Sequence, residues 1–397
     1  MITKTAKLYK SAYGGLSRST WWLSVVMLIN RSGTMVVPFM TMYLTQHMHT
    51  SISEAGFVMS LFGLGAIVGA LIGGRLTDTI GYYYIQITTL FGGGIMFMVL
   101  GQMRSYPAIC ITTFFLAMVN EAFRPANSVA IAHYSNEENR TRSYSLNRLA
   151  INLGWAVGGA LGGIIASYNY SLLFWVDGVT NISAAVLLYF VLAPSRNKAS
   201  RIKKIVKIPG LPSAYSDKTY LLFTVMLFLF AACFFQLFTT IPVFYKTVFH
   251  LSEFSIGMVM AFNGLIIAAF EMITVFSFEG KRPHLHFISA GVILVGLSYI
   301  ILILPGVHVL LLTILSMLLL TTGEIFSMPF MNSYMISRTA EHNRGQYAAL
   351  FTVAWATAQA IGPYLGGLVA EHQGYNTLWL IIACICVLLG YLYRKLK

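Results

Sequence analysis

Only 10% of the 397 residues are charged, against about 25% in an ordinary soluble protein. A chain this poor in charge cannot cover its surface for water, which excludes a soluble enzyme or soluble binding module. Acidic residues are the scarcest, 13 Asp and Glu against 26 Lys and Arg. Cysteine is nearly missing too. Cys110, Cys233, Cys384 and Cys386 lie inside apolar runs without metal-ligand spacing, so neither a disulfide framework nor a metal centre is indicated. There is no Gly-x4-Gly-Lys-Ser/Thr phosphate loop, hence no ATPase within the chain, and no His-Glu-x-x-His or nucleophile–base set that would suggest catalysis. No cofactor is expected. The nine histidines fall in loops or near the ends of apolar runs, where loop placement explains them.

What the chain has in abundance is apolar length: 57% of it is hydrophobic. A helix crosses a bilayer with about 20 apolar residues at 1.5 Å each. That ruler places spans near 21–46, 54–74, 83–102, 108–132, 143–167, 172–193, 220–244, 254–278, 285–304, 307–336, 346–370 and 376–393. The expected fold is therefore all-α and membrane-embedded, with twelve transmembrane helices in two pseudo-symmetric six-helix bundles around a central cavity.

The formal net charge of +13 reports orientation rather than a nucleic-acid partner. Lys4, Lys7, Lys10 and Arg18 precede the first span, and Arg196, Lys198, Arg201, Lys203, Lys204 and Lys207 fill the central gap. Basic residues in short loops mark the cytoplasmic side. With the N-terminus inside, the external loops keep only Arg104 and Lys246. Both termini are thus expected in the cytoplasm, and the protein in the cytoplasmic (inner) membrane.

The polar stretch 194–217, with Pro194, Pro209 and Pro212, reads as a basic cytoplasmic linker between halves at 1–193 and 218–397. The halves repeat. Asn139-Arg140 through Leu146 matches Asn343-Arg344 through Leu350, and Gly162-Gly163 matches Gly366-Gly367. The pentapeptide from Glu121 to Pro125 answers the hexapeptide from Glu324 to Pro329 within one residue, and Pro38 answers Pro242. Two such halves rocking about a midplane site are the architecture of a secondary transporter.

The sequence after span 2, from Gly73 through Tyr82, resembles the gating loop of the major facilitator superfamily, with Gly74, Leu76, Asp78 and Gly81 in place beside Arg75. Thr79, Tyr82 and Tyr83 stand where that pattern is basic. Span 5 carries Gly154, Gly158, Gly159, Gly162 and Gly163, and span 11 carries Gly362, Pro363, Gly366 and Gly367, similar to the antiporter motif of the proton-driven multidrug efflux members. Close helix packing explains these glycines equally well. The resemblance implies alternating access, a small-molecule substrate, protons as coupling ion and a monomer. A fainter similarity to proton-coupled peptide transporters lies in Asn30-Arg31-Ser32-Gly33 and in Ile151 through Gly154.

Charge inside a membrane costs on the order of 3 kcal/mol or more, so each such residue needs a partner or a task. Arg31, Glu121 and Glu324 all lie roughly 15–17 Å from the same membrane face by helix rise. Glu121 and Arg124 share a helix face, and Arg31 can reach the same carboxylate. That cluster is either a brace, since two guanidiniums favour the ionised carboxylate, or a coupling site. Glu324 has no basic residue near it in its own span. It is either a proton carrier, with Glu271 as second candidate, or a hydrogen-bonded acid. Asp177 is expected to brace the extracellular side and Arg148 to cap cytoplasmic contacts. Asn30, Gln236, Thr239, Phe123 and Phe326 are expected to line the cavity. An amphipathic cavity suits export of small amphipathic or cationic organic molecules; import of a peptide or nutrient is the alternative.

Overall fold

The computed structural model describes residues 15–136, 139–192, 213–278, 281–305, 308–339 and 344–396. Most of the basic linker expected at 194–217 lies outside them, as do Lys4, Lys7 and Lys10. Among the described residues there is no strand. Among them, eleven helices are long and apolar enough to cross a membrane: Arg18–His47 (span 1), Ile52–Ile80, Tyr82–Gln102, Tyr106–Tyr134, Arg142–Tyr168, Tyr170–Val191, Lys218–Thr247 (span 7), Glu253–Val275, His284–Ile301, Val309–Ser337 (span 10) and Tyr375–Lys395 (span 12). Helix Arg344–Gln373, 30 residues long, is span 11. Gln346, Gln359, Glu371 and His372 dilute its hydropathy without shortening it. The chain is an all-α integral membrane protein of twelve transmembrane helices.

Spans 1, 4 and 7 are broken, and each break lies about one turn before a proline. Proline has no N–H and its ring crowds the carbonyl four residues back. For Pro38, Pro125 and Pro242 those carbonyls belong to Thr34, Glu121 and Phe238. Span 1 accordingly stops at Ser32 and restarts as Val36–Met42, followed by a wide π turn over Tyr43–His47. Span 4 is interrupted at Ala122, between Tyr106–Glu121 and Phe123–Tyr134. Span 7 tightens into a 3-10 turn at Phe235–Phe238 before Thr240–Thr247. In span 10, Pro329 stays within the helix.

The chain separates into two compact units. One holds the described residues up to Val36 and those from Gly65 to 192; the other holds Val37–Leu64 and the residues from 213 onward. Span 1 therefore changes unit just after its break. Within the second unit, Thr41 Oγ1 donates to the Thr239 carbonyl at 2.9 Å, and the Ser53 N–H donates to Glu371 at 2.9 Å.

The two glycine motifs pack alike. In the first unit a Cβ on Gly154 would come within 2.5 Å of Arg31 Cβ, so span 5 touches span 1 backbone to backbone. In the second, Gly362 abuts Ala232 of span 7, and the space over Gly366 is filled by the Gln236 amide. Bare backbone lets helices approach where no hydrophobic drive separates helix from lipid.

Candidate functional site

In the first unit the break in span 4 sets Glu121 and Arg124 on one face beside Arg31 of span 1. Glu121 Oε2 lies 3.3 Å from Arg124 Nη1, and Oε1 lies 4.0 Å from Arg31 Nη1. The Arg31 and Glu121 side chains are 11% and 10% exposed, the Arg124 side chain 68%. Two guanidiniums share one carboxylate, leaving one positive charge in excess. Among the described residues the Arg31 Nε has no hydrogen-bond partner. This cluster can brace spans 1 and 4 or receive an oxyanion.

In the second unit Glu324 sits half-buried on span 10. Asn263 of span 8 donates its amide N–H to Thr321 Oγ1 at 2.9 Å and to Glu324 Oε2 at 3.4 Å. A neutral amide donor can serve either protonation state of the acid, since both keep an acceptor oxygen. Glu271 is buried on the same span as Asn263. Phe326 is half-buried, stacked on Phe287 and tilted against Phe278.

Four residues expected on the cavity wall are placed instead in helix contacts within their own units. Asn30 is 2% exposed and donates to Asn181 of span 6 at 2.7 Å. Phe123 is 1% exposed in a core with Leu23, Val26 and Met27. Gln236 donates to the Gly362 carbonyl at 2.8 Å and accepts from Thr240 at 2.9 Å. Thr239 is buried against the same amide, 3.4 Å from Gln236 Oε1. Polar side chains inside a span bond to one another or to backbone carbonyls rather than face lipid, as Asn30 does with Asn181 and Gln236 with the Gly362 carbonyl, while Phe123 is buried as an apolar core residue.

The expected gating loop is mostly helix. Span 2 runs on through Ile80, so only Gly81 lies between helices, at φ +99°, a conformation glycine adopts readily. Arg75 and Asp78 are exposed on that last turn, and Gly74 faces open space. A Cβ on Gly158 would come within 3.1 Å of the Ser32 carbonyl, Gly162 is buried, and Pro363 lies inside span 11. Arg148 is exposed on span 5.

Sequence reasoning missed a polar knot in the second unit. Asp217 caps span 7 by accepting the Tyr220 N–H at 3.0 Å. It also accepts two guanidinium N–H groups of Arg338, at 3.0 and 2.9 Å, and the Tyr347 hydroxyl at 2.9 Å. Partial burial pushes the Asp217 carboxyl up, but the Tyr220 N–H, Arg338 and Tyr347 together hold it below the usual carboxylate range. An Asp just before an apolar run is a readable cap signal. Its partners, 121 and 130 residues away, are not.

The sequence matches the Major Facilitator Superfamily over residues 21–363 and 284–397. The chain belongs to this superfamily. As a superfamily member it is a membrane transporter and not an enzyme. It is 24% identical to the "Uncharacterized MFS-type transporter YttB" of Bacillus subtilis, over 94% of each chain. It is 23% identical to a "Na(+), Li(+), K(+)/H(+) antiporter" of Planococcus maritimus, over 92% of each. Its fold is similar to that of a POT family transporter crystallised with 5-aminolevulinic acid (TM-score 0.79, 15% identity, 96% of each chain). It is similar in the same way to the nucleoside transporter NupG (TM-score 0.77, 13% identity, 96% of this chain and 99% of that one).

Proposed function

We propose that this transporter works by alternating access as a proton-coupled exporter of small amphipathic or cationic organic molecules, with Glu324 carrying the proton. The carrying observation is a contrast between two glutamates. Glu121 lies between two guanidiniums, and it is their one counter-charge, so the cluster cannot give up that charge without leaving two cations facing each other uncompensated. Glu324 instead accepts from the neutral Asn263 amide, a bond that survives protonation. Glu271, buried on span 8, is the second candidate carrier. The Planococcus antiporter named above and the Bacillus subtilis "Multidrug resistance protein 1", 22% identical over 85% of each chain, support the exporter reading.

In this proposal the halves are 1–193 and 218–397, joined by the cytoplasmic linker 194–217. The protein is a monomer in the cytoplasmic membrane with both termini inside. The gating role belongs to Arg75 and Asp78 at the Gly81 turn. Arg124, whose side chain is 68% exposed on span 4, faces the solute.

One observation favours a second reading, proton-coupled import of a peptide or similar nutrient: the excess guanidinium charge at Arg31 and Arg124 suits a carboxylate. Purified protein in proteoliposomes distinguishes the readings. With an imposed pH gradient, ethidium is expected to be moved uphill against the proton flow and a dipeptide to produce no proton movement. Dipeptide-dependent proton uptake without an ethidium response would establish import instead. A Lys204→Cys label that reacts only from outside would refute the topology.

A further inference from the structure

The break in span 1 exposes backbone groups at mid-membrane, and span 6 supplies their partners. The Met35 N–H donates to Asp177 Oδ1 at 3.0 Å and the Val36 N–H to Oδ2 at 2.7 Å. The Gly33 carbonyl accepts from Asn181 Nδ2 at 3.1 Å, and the Asn181 side-chain oxygen is occupied by Asn30. Thr180 of the same span fills the space where a side chain on Gly33 would go. Asp177 is 0% exposed.

The corresponding break in span 7 is closed differently. Gln236, a neutral residue of span 7 itself, joins Gly362 and Thr240. The offset of 204 residues that relates Asn139 to Asn343 puts Ile381 opposite Asp177. Among the described residues, the side chains bonded to backbone at that break are neutral, Thr41 on the Thr239 carbonyl and Gln236 on the Ala232 carbonyl. A neutral side chain would suffice as a cap in the first half too, so the carboxyl there calls for a reason.

Among the described residues of spans 1, 3 and 5, which pack against span 6, no charged or titratable side chain partners Asp177; its partners are the two backbone N–H groups. Arg31, the nearest charge along span 1, turns to Glu121. An ionised Asp177 offers an oxygen to each N–H. A protonated one must turn one oxygen into a donor, and then holds a single N–H well. The chain passes from one compact unit to the other at Val36–Val37, immediately after the residues so held.

We propose that Asp177 is a proton-operated latch on the span 1 hinge: ionised it fastens Met35 and Val36, and protonated it releases one of them and frees the second half-helix to move. This inference rests on the proton-coupled, alternating-access reading of the transporter, yet it is read without transport.

The test is hydrogen exchange on the purified full-length protein in detergent, followed in a peptide covering residues 33–42 at acidic and alkaline pH. After correction for the intrinsic pH dependence of exchange, the Met35 and Val36 amides are expected to exchange about tenfold faster at acidic pH, the order expected when one charge-assisted bond is lost. Asp177→Asn, which also presents one acceptor and one donor, is expected to exchange fast at both pH values. Equal corrected rates in the parent overturn the latch, even if Asp177→Asn fails to fold. So does a pH dependence that persists in Asp177→Asn. Should the latch fail while pH-driven flux in proteoliposomes persists, the transport reading stands without it. If the latch titrates and no flux is found, the transport reading fails instead.

Discussion

Adding one methyl group at Gly366 tests whether the glycine motif of span 11 exists to admit Gln236. A Cβ there would overlap the end of the Gln236 side chain. A flexible side chain would swing away at little cost. This one is 3% exposed and tied at both ends of its amide, to the Gly362 carbonyl at 2.8 Å and the Thr240 hydroxyl at 2.9 Å. Displacing it strands buried polar groups at about 1–3 kcal/mol each and overpacks the contact by about 1–3 kcal/mol. Gly366→Ala is therefore expected to destabilise by about 2–4 kcal/mol. The assay is thermal unfolding in detergent, run as a double-mutant cycle. Gln236→Ala removes the obstacle, so the double variant should be no less stable than Gln236→Ala alone. If Gly366→Ala unfolds with the parent, or the two losses simply add, the amide is not the reason for the glycine.

Other expectations follow from the charged groups. Arg338→Ala removes a bidentate pair from Asp217 and should cost about 1–3 kcal/mol near neutral pH. Because the folded Asp217 is held below its ordinary value of about 4, its contribution is complete above that pH and is lost as pH falls through the lower, folded value; thermal unfolding across this acid range should show a loss that Arg338→Ala flattens. Glu121→Gln should lower folded yield in size-exclusion profiles, since it leaves Arg31 and Arg124 facing each other uncompensated. Arg31→Ala should reduce folded yield or transport more than Arg148→Ala, whose side chain is exposed.

The architecture was legible because a bilayer enforces it: lengths of apolar chain, loop charge and repeated glycines are local signals. The meeting of Arg31, Glu121 and Arg124 was legible too, since depth along a helix follows from rise per residue. The roles of Asn30, Gln236 and Thr239 were not. Polar residues in a span suggest a wet cavity, but here they are spent in helix contacts, Asn30 on Asn181 and Gln236 on the Gly362 carbonyl, partners 151 and 126 residues away that only the fold brings near. The gating loop was misread for a related reason, because Thr79 and Ile80 extend span 2 until Gly81 stops it. Asp217 and Arg338 are joined only by the fold.

The central claim is that Glu324 changes charge during the cycle. Glu324→Gln keeps the shape and the neutral state while removing the titration. In proteoliposomes under an imposed pH gradient, this variant is expected to lose uphill movement of ethidium while retaining downhill exchange. Uphill movement equal to that of the parent, alongside a folded Glu121→Gln that has lost coupling, would show that the proton travels on Glu121 and contradict the assignment.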